Sequence, residues 1–251
     1  MLGKIIGRPR WAWAAFGKHP SARDYFQINT QLPLAHAFSQ WVENGFGRLP
    51  ENVRRNGVYS WRFWSRGLKK GTLVCGLGKS SGDGVGRPYP LVLLGEGQLD
   101  HWEKNWNLLP FVLSSAWDKL EYAASRRLEG LGQLEADLQR MENPTPVWKE
   151  TLRSISPDTN DQTAEPIHKL VMAQIQTKAR TLATEQKLAI PLDHLSHGDS
   201  LQMAGAWHQA LKDHLPGTPS TVFMGGSLEK AFLMLFLRPL MADDFIELWS
   251  V

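Results

Sequence analysis

Gly76 to Gly86 reads Gly-Leu-Gly-Lys-Ser-Ser-Gly-Asp-Gly-Val-Gly, and its Gly78-Lys79-Ser80 step is what a nucleotide-binding loop uses to cradle phosphate. Such a loop needs a further glycine five positions before Gly78, where Leu73 stands, and its lysine must open a helix. The run Gly82-Asp83-Gly84-Val85-Gly86-Arg87-Pro88 is incompatible with a helix, so 76–86 is predicted to be a flexible connection between strands. His194, His197 and Asp199 have the clustering that begins a metal site, but Gly198 and the capping pair Asp199-Ser200 place them in a loop ahead of a helix. Solvated loop histidines account for the same residues. His208 falls on an apolar helical stripe, the position of a hydrogen-bonded boundary residue rather than a ligand.

Nucleophiles fare no better. Cys75 lies inside an apolar strand, where a thiol is packing. Trp61-Arg62-Phe63-Trp64 mixes rings and charge as a base-stacking strand does, yet core packing or partner contact is the favoured reading. No catalytic residue, cofactor or metal ligand is assigned. Lys18, His19, Arg23 and Arg87 are charged or ionisable groups beside turns stiffened by Gly17, Pro20, Gly86 and Pro90, a setting suited to an acidic partner. Asp24 can bind backbone N–H groups in its own turn. With Trp61 and Arg62, these residues form the candidate partner-binding set.

The elements that must hold them are legible from periodicity. Trp11 to Phe16 is a buried strand broken by Gly17-Lys18-His19-Pro20, and Leu34, Phe38, Trp41 and Val42 mark a helix after Pro33 that stops at Asn44-Gly45. Val58 to Trp64, Thr72 to Cys75 and Tyr89 to Leu94 are three further strands, the last ending at Gly95, and short turns between them favour antiparallel neighbours. Leu99, Trp102, Trp106 and Leu109 begin a helical block, which continues through Leu113 to Leu128 and through Leu131 to Met141. Prolines and small polar residues make 143–166 a linker or long loop. Ile167, Val171, Ile175 and Leu182 mark one helix, and Leu201, Ala204, His208, Leu211 and Leu215 another. Ser220 to Met224 and Ala231 to Leu237 are two strands, and Asp243-Asp244 opens a closing helix.

Composition bounds the function classes. The 251 residues carry 28 Lys and Arg against 25 Asp and Glu, a formal charge of +3, and 42% are hydrophobic. That charge is small for a chain of this length and no basic cluster stands out, which argues against nucleic acid. A single cysteine excludes a disulfide framework and suits the reducing cytoplasm. No apolar run is long enough to span a bilayer, and Arg8-Pro9-Arg10 interrupts the N-terminal apolar stretch, so neither membrane insertion nor export is expected. Eleven tryptophans against four tyrosines predict an aromatic core or an aromatic-rich partner surface.

Four segments together carry a likeness: Phe16-Gly17-Lys18-His19-Pro20-Ser21-Ala22-Arg23-Asp24-Tyr25-Phe26, Trp61-Arg62-Phe63, Val85-Gly86-Arg87-Pro88-Tyr89-Pro90-Leu91, and Pro219-Ser220-Thr221-Val222-Phe223. In order and spacing they resemble the TagF (ImpM) family of type VI secretion-associated proteins, with its Gly-Lys-x-Pro-x-x-Gly-Asp-Phe opening and later Val-Gly-Arg-x-Phe-Pro. Arg23 stands where the family has Gly, Tyr25 intervenes before Phe26, and Tyr89 replaces Phe. The resemblance implies a bacterial, cytoplasmic, non-enzymatic accessory or post-translational regulator, a repressor acting by protein–protein binding. Its partners would be secretion components, including a forkhead-associated scaffold protein. It also implies a longin-like N-terminal domain. The expected organisation is therefore α+β, a mainly antiparallel sheet with helices packed on it. It divides into a TagF-like part over 1–142, a linker over 143–166, and helices plus two strands over 167–251. The alternative is a small-molecule-binding or hydrolytic enzyme using 76–86 with His194, His197 and Asp199.

Overall fold

Apolar residues on alternating sides of each strand require a sheet covered on both faces, and the strands here are built that way. The computed structural model describes residues 11–154, 165–193 and 200–251. Its strands are β1 (Ala12–Gly17), β2 (Phe26–Ile28), β3 (Tyr59–Arg66), β4 (Thr72–Lys79), β5 (Leu91–Gln98), β6 (Lys187–Pro191), β7 (Thr221–Ser227) and β8 (Ala231–Phe236). They form one sheet in the order β2-β1-β5-β4-β3-β7-β8-β6, with every neighbouring pair antiparallel. The seam between the two halves of the chain is the β3–β7 ladder, which sets Phe63 opposite Phe223. Both halves thus share a sheet.

One face carries Trp64, Cys75, Leu77, Leu93, Val222 and Leu235. It is covered by α3 (Leu109–Val112), α4 (Ser114–Ser125), α5 (Leu131–Gln139), α6 (Thr145–Ser154), α7 (Glu165–Glu185) and α8 (Ser200–His214). The opposite face presents Phe16, Trp61, Phe63, Leu94 and Phe223 to α1 (Pro33–Phe46) and α9 (Ala242–Leu248). A short α2 (Glu51–Asn56) links α1 to β3. The result is α+β, an antiparallel sheet between two helical layers.

Several boundaries differ from the sequence expectation, each for a local reason. Strand β4 runs on through Gly76, Leu77, Gly78 and Lys79, so the first third of the predicted flexible connection is ladder. A side chain on Gly76 would meet the Phe63 ring at 2.4 Å, so the glycine is there for packing. Gly95 lies inside β5, because it and Gly97 make room for the rings of Trp13 and Trp11, each within 2.5 Å of where a Cβ would stand. Gly45 likewise lies inside α1, against Phe245 of α9. Thr145–Ser154 is the helix α6, in place of the loop expected across 143–166: Asn143 caps it through its side chain, and Trp148 anchors it with an indole N–H bond of 2.9 Å to the Asp100 carbonyl. The predicted helical stripe from Leu99 to Leu109 is two single 3₁₀ turns, Trp102–Lys104 and Trp106–Leu108. Strands β2 and β6 are too short or too weakly alternating to have been read.

Ten of the eleven tryptophans are buried, and Trp41, the eleventh, is half-buried. The indoles are therefore core, and the aromatic-rich partner surface allowed by composition is absent from the described residues. Trp64 donates to Nε2 of the fully buried His208, whose Nδ1–H reaches the Ala204 carbonyl at 2.7 Å. Both ring nitrogens are thereby used, as expected for a histidine on an apolar stripe.

Candidate functional site

The turn after β1 and the connection between β4 and β5 meet in one ion-paired knot centred on Asp83. Its carboxylate, fully buried, receives Lys18 Nζ at 2.9 Å and Arg87 Nε at 2.7 Å, both on Oδ2. Its other oxygen accepts the backbone N–H groups of Val85 at 3.1 Å and Arg87 at 2.9 Å. Arg87 goes on to Asp24 at 3.1 Å and to the Arg23 carbonyl at 3.0 Å, while Lys18 lies 3.8 Å from Asp24. A backbone bond from Gly84 N–H to the Ala22 carbonyl closes the two loops on each other.

The local sequence explains the geometry. Gly17 has φ +120°, and a Cβ there would stand 2.0 Å from the Pro90 carbonyl oxygen, so β1 can leave the sheet beside β5 only as glycine. Gly86, at φ +82°, completes the turn that brings Arg87 back onto Asp83. Burial alone would push the Asp83 carboxyl up, but the Lys18 ammonium, the Arg87 guanidinium and the two N–H groups outweigh it and hold the carboxyl far below its usual range. A carboxylate held so firmly is a poor base. Asp24 is lowered too, first by the Tyr25 N–H and then by Arg87 and Lys18.

The candidate partner-binding residues divide on this geometry. Lys18, Asp24 and Arg87 are spent on the knot, which with Asp83 balances two cations against two carboxylates. His19 is buried, its Nδ1 accepts the Ser21 N–H at 3.1 Å, and burial with the nearby Lys79 charge depresses its pKa. Arg23 keeps an exposed guanidinium with no ion-pair partner among the described residues. Trp61 is fully buried and donates to the Leu248 carbonyl, so it presents no surface. Arg62 reaches across to α4, with Nε and Nη2 on Glu121 at 2.8 and 2.9 Å and Nη2 on Asp118 at 2.9 Å, on the wall of a separate cleft of about 450 Å³. His194, His197 and Asp199 lie outside the described residues. Asp83, the centre of the knot, is the residue that sequence reasoning missed, although an acid between glycines and shortly before the Gly86-Arg87 step is the signal of a side-chain-capped turn.

A family model described as the TagF N-terminal domain, type VI secretion system-associated, matches residues 14–143, just over half of the chain and both loops of the knot. The chain belongs to the TagF family. Among solved structures, the crystal structure of PA0076 from Pseudomonas aeruginosa PAO1 superposes with a TM-score of 0.43 at 16% identity, over 95% of this chain and 94% of that one. No curated protein matches the sequence.

As a TagF protein the chain is type VI secretion-associated, and its departures from the family pattern can be placed. Arg23, in the position of the family glycine, does not take positive φ, so the turn accepts a side chain without strain. Tyr25 and Tyr89, the two aromatic departures, pack edge to face with ring centres 5.4 Å apart. The inserted ring of one loop thus rests on the substituted ring of the other. Among the described residues no helix of this TagF protein is long and apolar enough to cross a membrane, and no three His, Cys, Asp or Glu side chains are grouped to hold a metal ion.

Proposed function

We propose that this protein is a non-enzymatic, cytoplasmic regulator of type VI secretion, a repressor that acts by binding protein components of the apparatus or its forkhead-associated scaffold. The observation that supports this reading is the knot itself. Lys18, Asp24 and Arg87, from two separate signature segments, are brought together around Asp83 and satisfy one another. Groups so matched build a rigid platform; they leave no free base or nucleophile, and the exposed Arg23 on its rim is the charge available to an acidic partner. Cys75, the single thiol, is buried with its pKa pushed up by desolvation, which suits packing rather than reaction.

The test is affinity capture from cells carrying an intact secretion locus, with secretion assayed in parallel. Apparatus or scaffold proteins should be recovered, capture should weaken with Arg23→Glu, and overproduction should lower secretion. Recovery of none of them, with secretion unchanged, would overturn the reading.

A further inference from the structure

Arg54 and Arg55 stand in the last turn of α2, and they are treated differently by their surroundings. Arg55 reaches back to Glu51 at 2.7 Å along the helix surface. Arg54 makes no ion pair and no side-chain hydrogen bond among the described residues. Its Nε is sealed from solvent, while its two terminal nitrogens stay accessible, so the unmatched charge is partly enclosed yet within reach of a ligand. A guanidinium kept there without a counter-ion works against stability, a local conflict of the kind that binding sites carry.

The Arg54 guanidinium lines a crevice of about 60 Å³ together with Ser80 and Ser81, the two residues that follow β4. Tyr59 fixes the first of them: the Ser80 N–H donates to the Tyr59 carbonyl at 2.8 Å, and Ser80 Oγ accepts the Tyr59 N–H at 3.0 Å. The Ser80 hydroxyl hydrogen is left to donate elsewhere. Ser81 Oγ has no partner among the described residues, while its carbonyl accepts the Tyr89 N–H at 3.0 Å. The Gly82–Pro88 bridge and the Asp83 knot behind it hold this loop in place. Tyr89, Pro90 and Trp249 supply apolar wall, and no carboxylate lines the crevice. Glu43 of α1 acts electrostatically on Tyr89 but stands outside the lining, and Lys79 turns away to Ser125 of α4. One cation and two hydroxyl donors, unmatched by any acid, are complementary to an oxyanion. The space takes a group of a few heavy atoms and is far below the ~300 Å³ of a site for a whole small molecule. Donors drawn from two separate elements suit the tetrahedral spread of phosphate oxygens better than the single plane of a carboxylate.

We propose that this crevice binds a phosphate group, free or as a monoester, with Arg54 as its counter-charge and Ser80 and Ser81 as hydroxyl donors. The site lies beside the knot and goes beyond the regulatory reading above, on which it does not depend. Inorganic phosphate and phosphoserine, each titrated calorimetrically into the full chain at fixed ionic strength with acetate as control, test it. At least one of the two phosphates should bind and raise the temperature of thermal unfolding, and acetate should do neither. Arg54→Gln should weaken that binding about tenfold and Ser81→Ala about threefold. Neither variant should unfold earlier than the wild type, because neither side chain gives up a bond in the free protein. Tighter binding of phosphoserine supports the site and assigns it to a phosphorylated side chain; equal or tighter binding of inorganic phosphate supports it and assigns it to the free ion. The proposal is overturned if neither phosphate binds, if acetate binds as tightly as phosphate, or if both variants bind phosphate as the wild type does.

Discussion

Asp83 is the residue on which two loops depend, because one buried carboxylate accepts from two cations and two backbone N–H groups at once. Asp83→Asn would keep the shape while leaving Lys18 and Arg87 without their shared counter-charge, so thermal unfolding should occur at a clearly lower temperature than in the wild type. Asp24→Asn, at an exposed position, should lower it much less. His208 gives a pH signature. Its burial holds the folded pKa at about 4, against 6.5 in an unfolded chain, so as pH falls from 6.5 to 4 the unfolded state takes up a proton that the native state refuses. Stability should fall across that window by up to about 3 kcal/mol. In urea titrations at pH 7, 5.5 and 4, His208→Gln, which keeps a donor and an acceptor but cannot titrate, should lack that part of the slope. At this scale the sequence showed Lys18, Asp24 and Arg87 as members of signature turns. It hid what they bind, because Lys18 and Asp83 sit on loops far apart along the chain, and such a pairing leaves no periodic trace.

Elements here are fitted together by glycines facing aromatic rings. Gly45 of α1 lies against Phe245 of α9, and a Cβ there would stand 2.3 Å from the Phe245 Cβ. Alanine ordinarily favours a helix over glycine by about 1 kcal/mol, yet Gly45→Ala should destabilise the protein by about 1–3 kcal/mol, because overpacking outweighs propensity. Phe245→Leu should recover part of that loss in the double variant, a coupling readable by denaturant titration. The same pairing explains where sequence reading succeeded and failed. Helical stripes such as Leu34, Phe38 and Val42 were legible because burial follows the helical period. Gly45, Gly76 and Gly95 look like stop signals in a single sequence, since the ring that fills each space comes from a distant or neighbouring element. The Thr145–Ser154 helix was obscured by Pro144 and Pro146, although proline is at home in a helix's first turn.

For the whole molecule, the sheet order matters more than the point where composition changes. β3, near the middle of the sheet, has β4 on one side and β7 on the other, so cutting the chain after residue 143 would strip one complete ladder from it. It would also bare Trp61 and Phe63, which pack against α9 and Phe223. Residues 1–143 alone should therefore aggregate or lack a cooperative unfolding transition, whereas the full chain should unfold in one, as followed by size-exclusion chromatography and calorimetry. The α+β class and the antiparallel arrangement were legible in the short turns between strands. The shared sheet was not, because a pairing between Phe63 and Phe223 has no signature in either segment by itself.

That pairing also sets a schedule for synthesis. Phe63 leaves the ribosome long before Phe223 is translated, and at elongation speeds of about 5–20 residues per second the interval is on the order of 10–30 s. Once β5 has emerged, the nascent chain carries a β4–β5 hairpin flanked by a strand, β3, that still lacks its other neighbour. Holding factors at the exit tunnel, or slow translation late in the message, would then govern the yield of active protein as much as its final stability does.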